Sequence, residues 1–155
     1  MTNQQLSFKQ TQELYEQDFN LWLEKTIQSL RDGKLLEVDY ANLIEELESM
    51  GRSEKNALKS NLRILLLHLL KYKYQPQKRT NSWRYSITEH RQRIRDSLET
   101  SPSLKPFLTE VVYKCYQDAI RLASDETGLS RSIFPEDCPF SLEEILDLDY
   151  LPDAN

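Results

Sequence analysis

An all-α fold is predicted by three features of this 155-residue sequence. Leucine, a good helix former, occurs 25 times, whereas valine, which favours strands, occurs 3 times. Glycine also occurs only 3 times, too few for the tight hairpin turns of an all-β domain. Apolar residues recur every three or four positions over most of the chain. Together these features predict a single-domain helical bundle of four or five helices with one long central helix.

The length fits one domain, residues 1–155, since domains typically run roughly 100–200 residues. We expect an ordered core from about residue 15 to about residue 150, with residues 1–12 loose. No secretion signal is expected, because no basic stretch precedes an apolar one at the start. The most apolar run, residues 62–70, is too short to span a membrane. Two cysteines, Cys115 and Cys138, match no metal or disulfide spacing, which indicates reduced thiols in a cytoplasmic protein.

The first helical pattern runs from about Glu16 to Asp32 and stops at Gly33. Its apolar stripe consists of Phe19, Trp22 or Leu23, Ile27 and Leu30. Asp39 can then cap the longest helix, which is predicted from Tyr40 to Tyr74. The stripe of that helix keeps the α-helical period through Leu43, Leu47, Met50, Glu54, Leu58, Leu62, Leu65, Leu69 and Tyr72. A break at Gly51 is the alternative, because an interior glycine costs roughly 1 kcal/mol against alanine.

Three further helices complete the predicted bundle. Pro76 ends the long helix, and the next one runs from about Ser82 to Glu99. Ser103 is predicted to cap the fourth helix, with Pro106 in its first turn and Gly128 at its end. The proline-rich tail contains one short helix over residues 141–147, which opens with the capping box of Ser141 and Glu144.

The net charge of −5 averages three unlike segments. Residues 1–50 carry 4 basic and 10 acidic groups. Residues 51–95 carry 12 basic and 2 acidic groups, and residues 96–155 carry 4 basic and 13 acidic groups. One interpretation is that the basic middle packs beside the acidic ends, so that the charges cancel within the fold. The other is an anionic partner on a basic face, because Arg84, Arg91 and Arg95 share one side of a helix and Trp83 could stack on bases. The first is favoured, since nucleic-acid domains are usually basic overall.

No residue pattern identifies a catalytic or metal site, so an enzyme is not favoured and no catalytic residue, metal or cofactor is predicted. His68 lies beside the predicted core and His90 on an apolar stripe, and each is best interpreted as a satisfied core histidine. Glu45 and Glu48 could form a paired-carboxylate site, but a solvated acidic helix face is the simpler interpretation.

As a set, several motifs resemble one family, the bacterial domain-of-unknown-function family number 29. They are Asp18-Phe19 with Trp22; Leu43, Glu45-Glu46 and residues 48–54; residues 68–71 with Gln75-Pro76; Arg79 with Ser82-Trp83; residues 101–104; residues 126–129; Phe134-Pro135; and Cys138-Pro139. The resemblance covers about Tyr15 to Pro152. It implies a compact, α-helical, cytoplasmic bacterial protein and brings no activity.

The leading functional hypothesis is a non-enzymatic helical module that binds another protein or self-associates. The alternative is binding of nucleic acid or another polyanion through residues 71–95, and an enzyme of unidentified class is the third. No membrane partner is expected. The candidate binding residues are Arg52, His68, Lys71, Gln75, Arg79, Trp83, Arg84, Arg91 and Arg95.

Overall fold

A computed structural model describes residues 2–153, apart from the side chains of Gln4 and Leu6. These residues form six α-helices and four short 3-10 helices, without a strand. Five of the helices contain 13 to 35 residues, and the sixth contains 5. The predicted all-α bundle with one long central helix is therefore confirmed. None of the described helices combines the length and the apolar character needed to cross a membrane.

The chain divides into two compact units, Met1–Arg52 and Ser53–Asn155, which we call unit 1 and unit 2. The helices are α1 (Asn3–Gln17), α2 (Phe19–Arg31), α3 (Tyr40–Tyr74), α4 (Asn81–Thr100), α5 (Lys105–Thr127) and α6 (Leu142–Leu146). Helix α3 contributes its first part to unit 1 and the remainder to unit 2. The single domain and the loose residues 1–12 stay predictions, and Met1 lies outside the described residues.

Helix α1 is an element that the sequence pattern did not predict. Most of its residues are polar, so it has no apolar stripe to reveal it. It begins with a capping box, in which Thr2 and Gln5 satisfy each other's backbone N–H groups. Only Asp18 separates α1 from α2, and its carboxylate accepts the backbone N–H of Leu21 at 3.0 Å. This single-residue turn places α1 directly against α2.

Trp22 forms the centre of unit 1. Its ring is fully buried, stacks on Phe19 at 5.6 Å and meets Tyr15 edge-on at 5.0 Å. Its indole Nε1 donates to Oδ2 of Asp39 at 3.3 Å. The other oxygen of Asp39 accepts the backbone N–H of Asn42 at 3.4 Å, which confirms the predicted cap of α3. Asp39 therefore joins α2 to the start of α3.

Helix α3 has the predicted bounds and continues through Gly51 without a break. Most residues from Leu58 to Leu70 are buried and form the centre of unit 2. The fully buried leucines of this segment are Leu58, Leu62, Leu65, Leu66, Leu69 and Leu70. They lie on several sides of the helix, as expected for a helix at the centre of a bundle.

The predicted ends of the later helices are confirmed with one correction. Gly128 closes α5 with a left-handed φ of 75°, and Ser141 and Glu144 form the predicted capping box of α6. The prediction that Ser103 caps α5 is wrong. A 3-10 turn, Pro102–Leu104, leads directly into α5, so Leu104 takes the N-cap position and has no side chain that could accept.

Candidate functional site

The nine candidate binding residues do not form one group. Arg52 belongs to unit 1, and the other eight belong to unit 2. Three of those eight, His68 and Lys71 on α3 and Trp83 on α4, form what we call the polar cluster. The other five are three arginines that bind backbone carbonyls, the buried Gln75 and the exposed Arg84. Each group has a different local role, so each is described in turn.

Lys71 on α3 is a buried cation with two partners. Its side chain is 5% exposed, and its Nζ lies 2.6 Å from a carboxylate oxygen of Glu126 on α5. The same ammonium lies 4.3 Å from the centroid of the Trp83 ring on α4. A buried charge is tolerated when a counter-ion and a π face replace its water. Lys71 therefore connects α3, α4 and α5 inside unit 2.

His68 and His90 each direct a ring nitrogen at a carbonyl one turn earlier. Nδ1 of His68 lies 2.8 Å from the oxygen of Ile64, and Nδ1 of His90 lies 2.8 Å from that of Ser86. Because a carbonyl only accepts, Nδ1 carries the hydrogen in both rings. Burial lowers the pKa of His68 below its ordinary value of 6.5, the Ile64 carbonyl opposes this shift, and the charge of Lys71 adds to it. Each histidine is thus satisfied by a backbone carbonyl, but both side chains are partly buried and do not belong to the buried core, in contrast to the predicted core histidines.

The lowered pKa of His68 predicts a loss of stability in acid. Above about pH 6.5 the ring is neutral in both folded and unfolded chains, and below it the unfolded chain binds the proton more readily. The stability is thus present above the unfolded pKa and lost as the pH falls towards the lower folded pKa. Urea unfolding between about pH 7.5 and pH 5.5 should show a smaller loss for His68→Gln than for the wild type. Equal losses would contradict the lowered pKa.

Arg79 ties the end of α3 to the C-terminal tail. Its Nε donates to the carbonyl of Tyr72 at 2.8 Å, and its Nη2 donates to that of Pro152 at 3.2 Å. The guanidinium also lies 4.1 Å from the centroid of the Tyr72 ring. A cation at this place satisfies the last carbonyls of a helix. Neighbouring Gln75 is 5% exposed, so the C-terminal end of α3 is closed to solvent at that point.

Arg91 on α4 is a buried guanidinium held by three backbone carbonyls. Its Nε donates to Ile145 at 2.8 Å, its Nη1 to Tyr150 at 3.0 Å and its Nη2 to Glu144 at 3.3 Å. Two of these carbonyls belong to α6, whose five residues leave most backbone oxygens without a helical partner. Arg95, about one turn further along α4, donates Nη1 to the carbonyl of Leu146 at 2.8 Å. The two arginines anchor α6 to α4.

Most cations of the basic segment, residues 51–95, have a partner within the protein. Nine of its 12 cationic side chains contact a carboxylate, a carbonyl or an aromatic ring. Among the described cations of residues 51–95, only Lys59, Lys78 and Arg84 have a side chain that forms no hydrogen bond, ion pair or ring contact. Three of the nine, Arg79, Arg91 and Arg95, have backbone carbonyl oxygens as hydrogen-bond partners, and a count of charged residues does not include these acceptors.

The remaining chemical groups show no activated arrangement. Arg52 lies 2.9 Å from Glu45 and 4.0 Å from Glu48, and all three side chains are more than half exposed. Burial raises the pKa of the thiols of Cys115 and Cys138, which keeps both in the unreactive protonated form. Within residues 2–153, no three histidine, cysteine or acidic side chains are close enough to hold a metal ion.

Ten large apolar side chains of unit 1 are exposed. They are Phe19, Leu23, Ile27, Leu30, Leu35, Leu36, Tyr40, Ile44, Leu47 and Met50, and we call them the unit 1 apolar face. Their exposed fractions range from 36% at Leu23 to 73% at Leu36. Unit 2 contains about twice as many residues but only five exposed large apolar side chains among those described. Unit 1 is thus richer in exposed large apolar side chains than unit 2.

The sequence did not mark the unit 1 apolar face as a surface, because six of its ten residues lie on the predicted apolar stripes of α2 and α3. The helical period of α2 and α3 predicts an apolar stripe but does not show whether another element covers it. Trp22 is the one stripe residue of α2 that is buried, and the α3 stripe is exposed from Leu47 to Glu54, just before Leu58. One signal was present: Glu45, Glu46 and Glu48 border this part of the stripe, and Glu54 interrupts it.

The comparisons with known proteins identify a family and nothing further. A family model described as Domain of unknown function DUF29 matches residues 14–151, nearly the whole chain. No curated protein matches. No solved structure matches either.

Proposed function

We propose that this chain, which belongs to the family of the domain of unknown function DUF29, is a cytoplasmic protein-interaction module. Its unit 1 apolar face would bind an amphipathic helix with basic flanks from another protein. The observation that carries the proposal is the exposure of ten large apolar side chains within 52 residues. A contiguous exposed apolar patch is typical of interaction sites, and we take these side chains as one such patch.

The spacing of the exposed residues favours a helical partner. On α2, Phe19, Ile27 and Leu30 follow one face, and on α3 the exposed residues Ile44 and Leu47 lie one turn apart. Rows at three- and four-residue intervals are the surfaces on which an amphipathic helix packs its own apolar row. Such a partner would cover the exposed row without a change in α2 or in the first part of α3.

The charge around the face favours a basic partner over a second copy. Residues 1–52 carry 5 basic and 10 acidic groups, a net charge of −5. Glu45 and Glu48 lie beside Ile44 and Leu47, and both are more than half exposed. Two copies of this surface would bring like charges together, which is unfavourable. Lysine or arginine beside the apolar row of a partner would be attracted instead.

The other two functional hypotheses have less support. For a polyanion site, the residues 71–95 retain Lys78 and Arg84 as cations without a contact to the described residues. For an enzyme, Lys71 is engaged in an ion pair with Glu126 beside the Trp83 ring, which is a structural arrangement of a buried cation. We therefore assign neither activity to the chain.

Two designed peptides of about 18 residues test the proposal. Both carry leucine at helical spacing, and their polar positions are all lysine in one and all glutamate in the other. We expect the lysine peptide to bind with micromolar affinity that weakens as salt is added, and the glutamate peptide to bind much more weakly. Ile44→Glu and Leu47→Glu together should abolish binding, as measured by fluorescence anisotropy. Tyr113→Glu is the matched control, because Tyr113 is similarly exposed but lies in unit 2.

Three results would overturn this function. Equal binding of the two peptides would contradict a preference for a basic partner. A loss of peptide binding in Tyr113→Glu equal to that in the Ile44→Glu, Leu47→Glu variant would show that the unit 1 apolar face is not the binding site. A dimer of the wild type that dissociates in the Ile44→Glu, Leu47→Glu variant would make a second copy the occupant. Light scattering measures the oligomeric state, and circular dichroism of each variant shows whether its helices are retained.

A further inference from the structure

A cavity of about 480 Å³ lies between α4, the start of α5 and the end of α6, entirely within unit 2. Its apolar wall includes Leu98, Leu146 and Leu148. Leu148 is 44% exposed, so part of this wall is open to solvent. Small-molecule sites are usually concavities of this size, mostly apolar, with a few placed polar groups. The cavity thus has the size and lining to hold a short apolar chain.

Two cations border this apolar wall. Arg95 uses Nη1 to donate to the carbonyl of Leu146 at 2.8 Å, which orients the guanidinium and leaves most of its five N–H groups available. Lys105 lines the same cavity, and its ammonium forms no hydrogen bond, ion pair or ring contact with the described residues. Glu99 is the single carboxylate among the lining residues, so the lining carries a net charge of +1. The cavity therefore combines an apolar wall with a cationic edge.

We propose that this cavity binds a small anionic amphiphile, a molecule with a carboxylate or phosphate head and a short apolar chain. The head would accept hydrogen bonds from Arg95 and form an ion pair with Lys105. The chain would lie against Leu98, Leu146 and Leu148 and remove apolar surface from water. This site lies in unit 2 and is independent of the proposed function of unit 1.

Octanoate and octylammonium test the proposal, because they share one apolar chain and carry opposite charges. We expect saturable octanoate binding at millimolar concentration or below, observed as shifts of the leucine methyl resonances, and no saturable binding of octylammonium. Arg95→Gln should weaken octanoate binding about tenfold, the loss expected for a charged hydrogen bond. Arg93→Gln is the control, because Arg93 is on the same helix but pairs with Glu89 and does not line the cavity.

Lys105→Gln provides a second variant, since Arg95 also holds α6 and its replacement could disturb the cavity wall. Lys105 has no such contact, so its replacement should weaken octanoate binding without a change in stability. Equal binding of the two amphiphiles would overturn the proposal. So would octanoate affinity that is unchanged in both Arg95→Gln and Lys105→Gln, or the absence of octanoate binding.

Discussion

Replacing Arg91 by leucine is expected to lower the free energy of unfolding by about 3–5 kcal/mol, among the largest effects of a single substitution. Arg91 is 1% exposed, and its guanidinium donates to three carbonyls, those of Glu144, Ile145 and Tyr150. Leucine fills part of the space but donates to none of them. The cost arises from oxygens that lose a charged donor while they stay covered by the rest of unit 2.

Two matched variants separate this network from general effects of charge. Arg93→Leu removes an exposed arginine of the same helix, whose partner is Glu89 at 2.8 Å, and should change stability by less than about 1 kcal/mol. Arg91→Lys keeps the charge but loses the planar fork that reaches three oxygens, so an intermediate loss is expected. Urea unfolding followed by circular dichroism measures all three. A loss below about 1 kcal/mol in Arg91→Leu would show that water or a rearranged tail satisfies the carbonyls.

Arg91 also shows why the candidate site could not be assigned from the sequence. Helical spacing correctly places Arg91 and Arg95 on one side of α4, where they could face an anionic partner. The residues that cover that side are 51 to 59 positions further along the chain. No periodicity connects α4 to α6, because the contact depends on how the tail folds back. The partners, moreover, are carbonyl oxygens, which every residue has and no sequence pattern marks.

Local features of the fold were predictable where one residue determines the backbone. Asp39 caps α3, Gly128 closes α5 with a positive φ, and the Ser141 capping box opens α6, all as the side-chain chemistry predicts. Helix α1 was not predictable by the same means, since its mostly polar sequence lacks a stripe. Ser103 was misassigned because it lies inside the 3-10 turn Pro102–Leu104, which leads directly into α5 and moves the N-cap position to Leu104.

The substitutions Leu62→Ala and Leu47→Ala are expected to lower the free energy of unfolding by very different amounts, although both leucines lie on the apolar stripe of α3. The two positions are about four turns apart, so they point to nearly the same side of the helix. Leu62 is fully buried in unit 2, and its truncation should cost about 2–5 kcal/mol through lost burial and a residual cavity. Leu47 is 57% exposed, and its truncation should cost less than about 1 kcal/mol.

This pair decides whether the stripe is covered along its whole length or only within unit 2. The substitution, the helix and the secondary-structure propensity are the same in both variants, so the difference in unfolding free energy reports packing alone. A cost at Leu47 equal to that at Leu62 would mean that the unit 1 apolar face is covered in solution, and the proposed partner site would be lost. A small cost at Leu47, together with loss of peptide binding in Ile44→Glu, Leu47→Glu, would mean that these side chains are retained for a partner and contribute little to the fold.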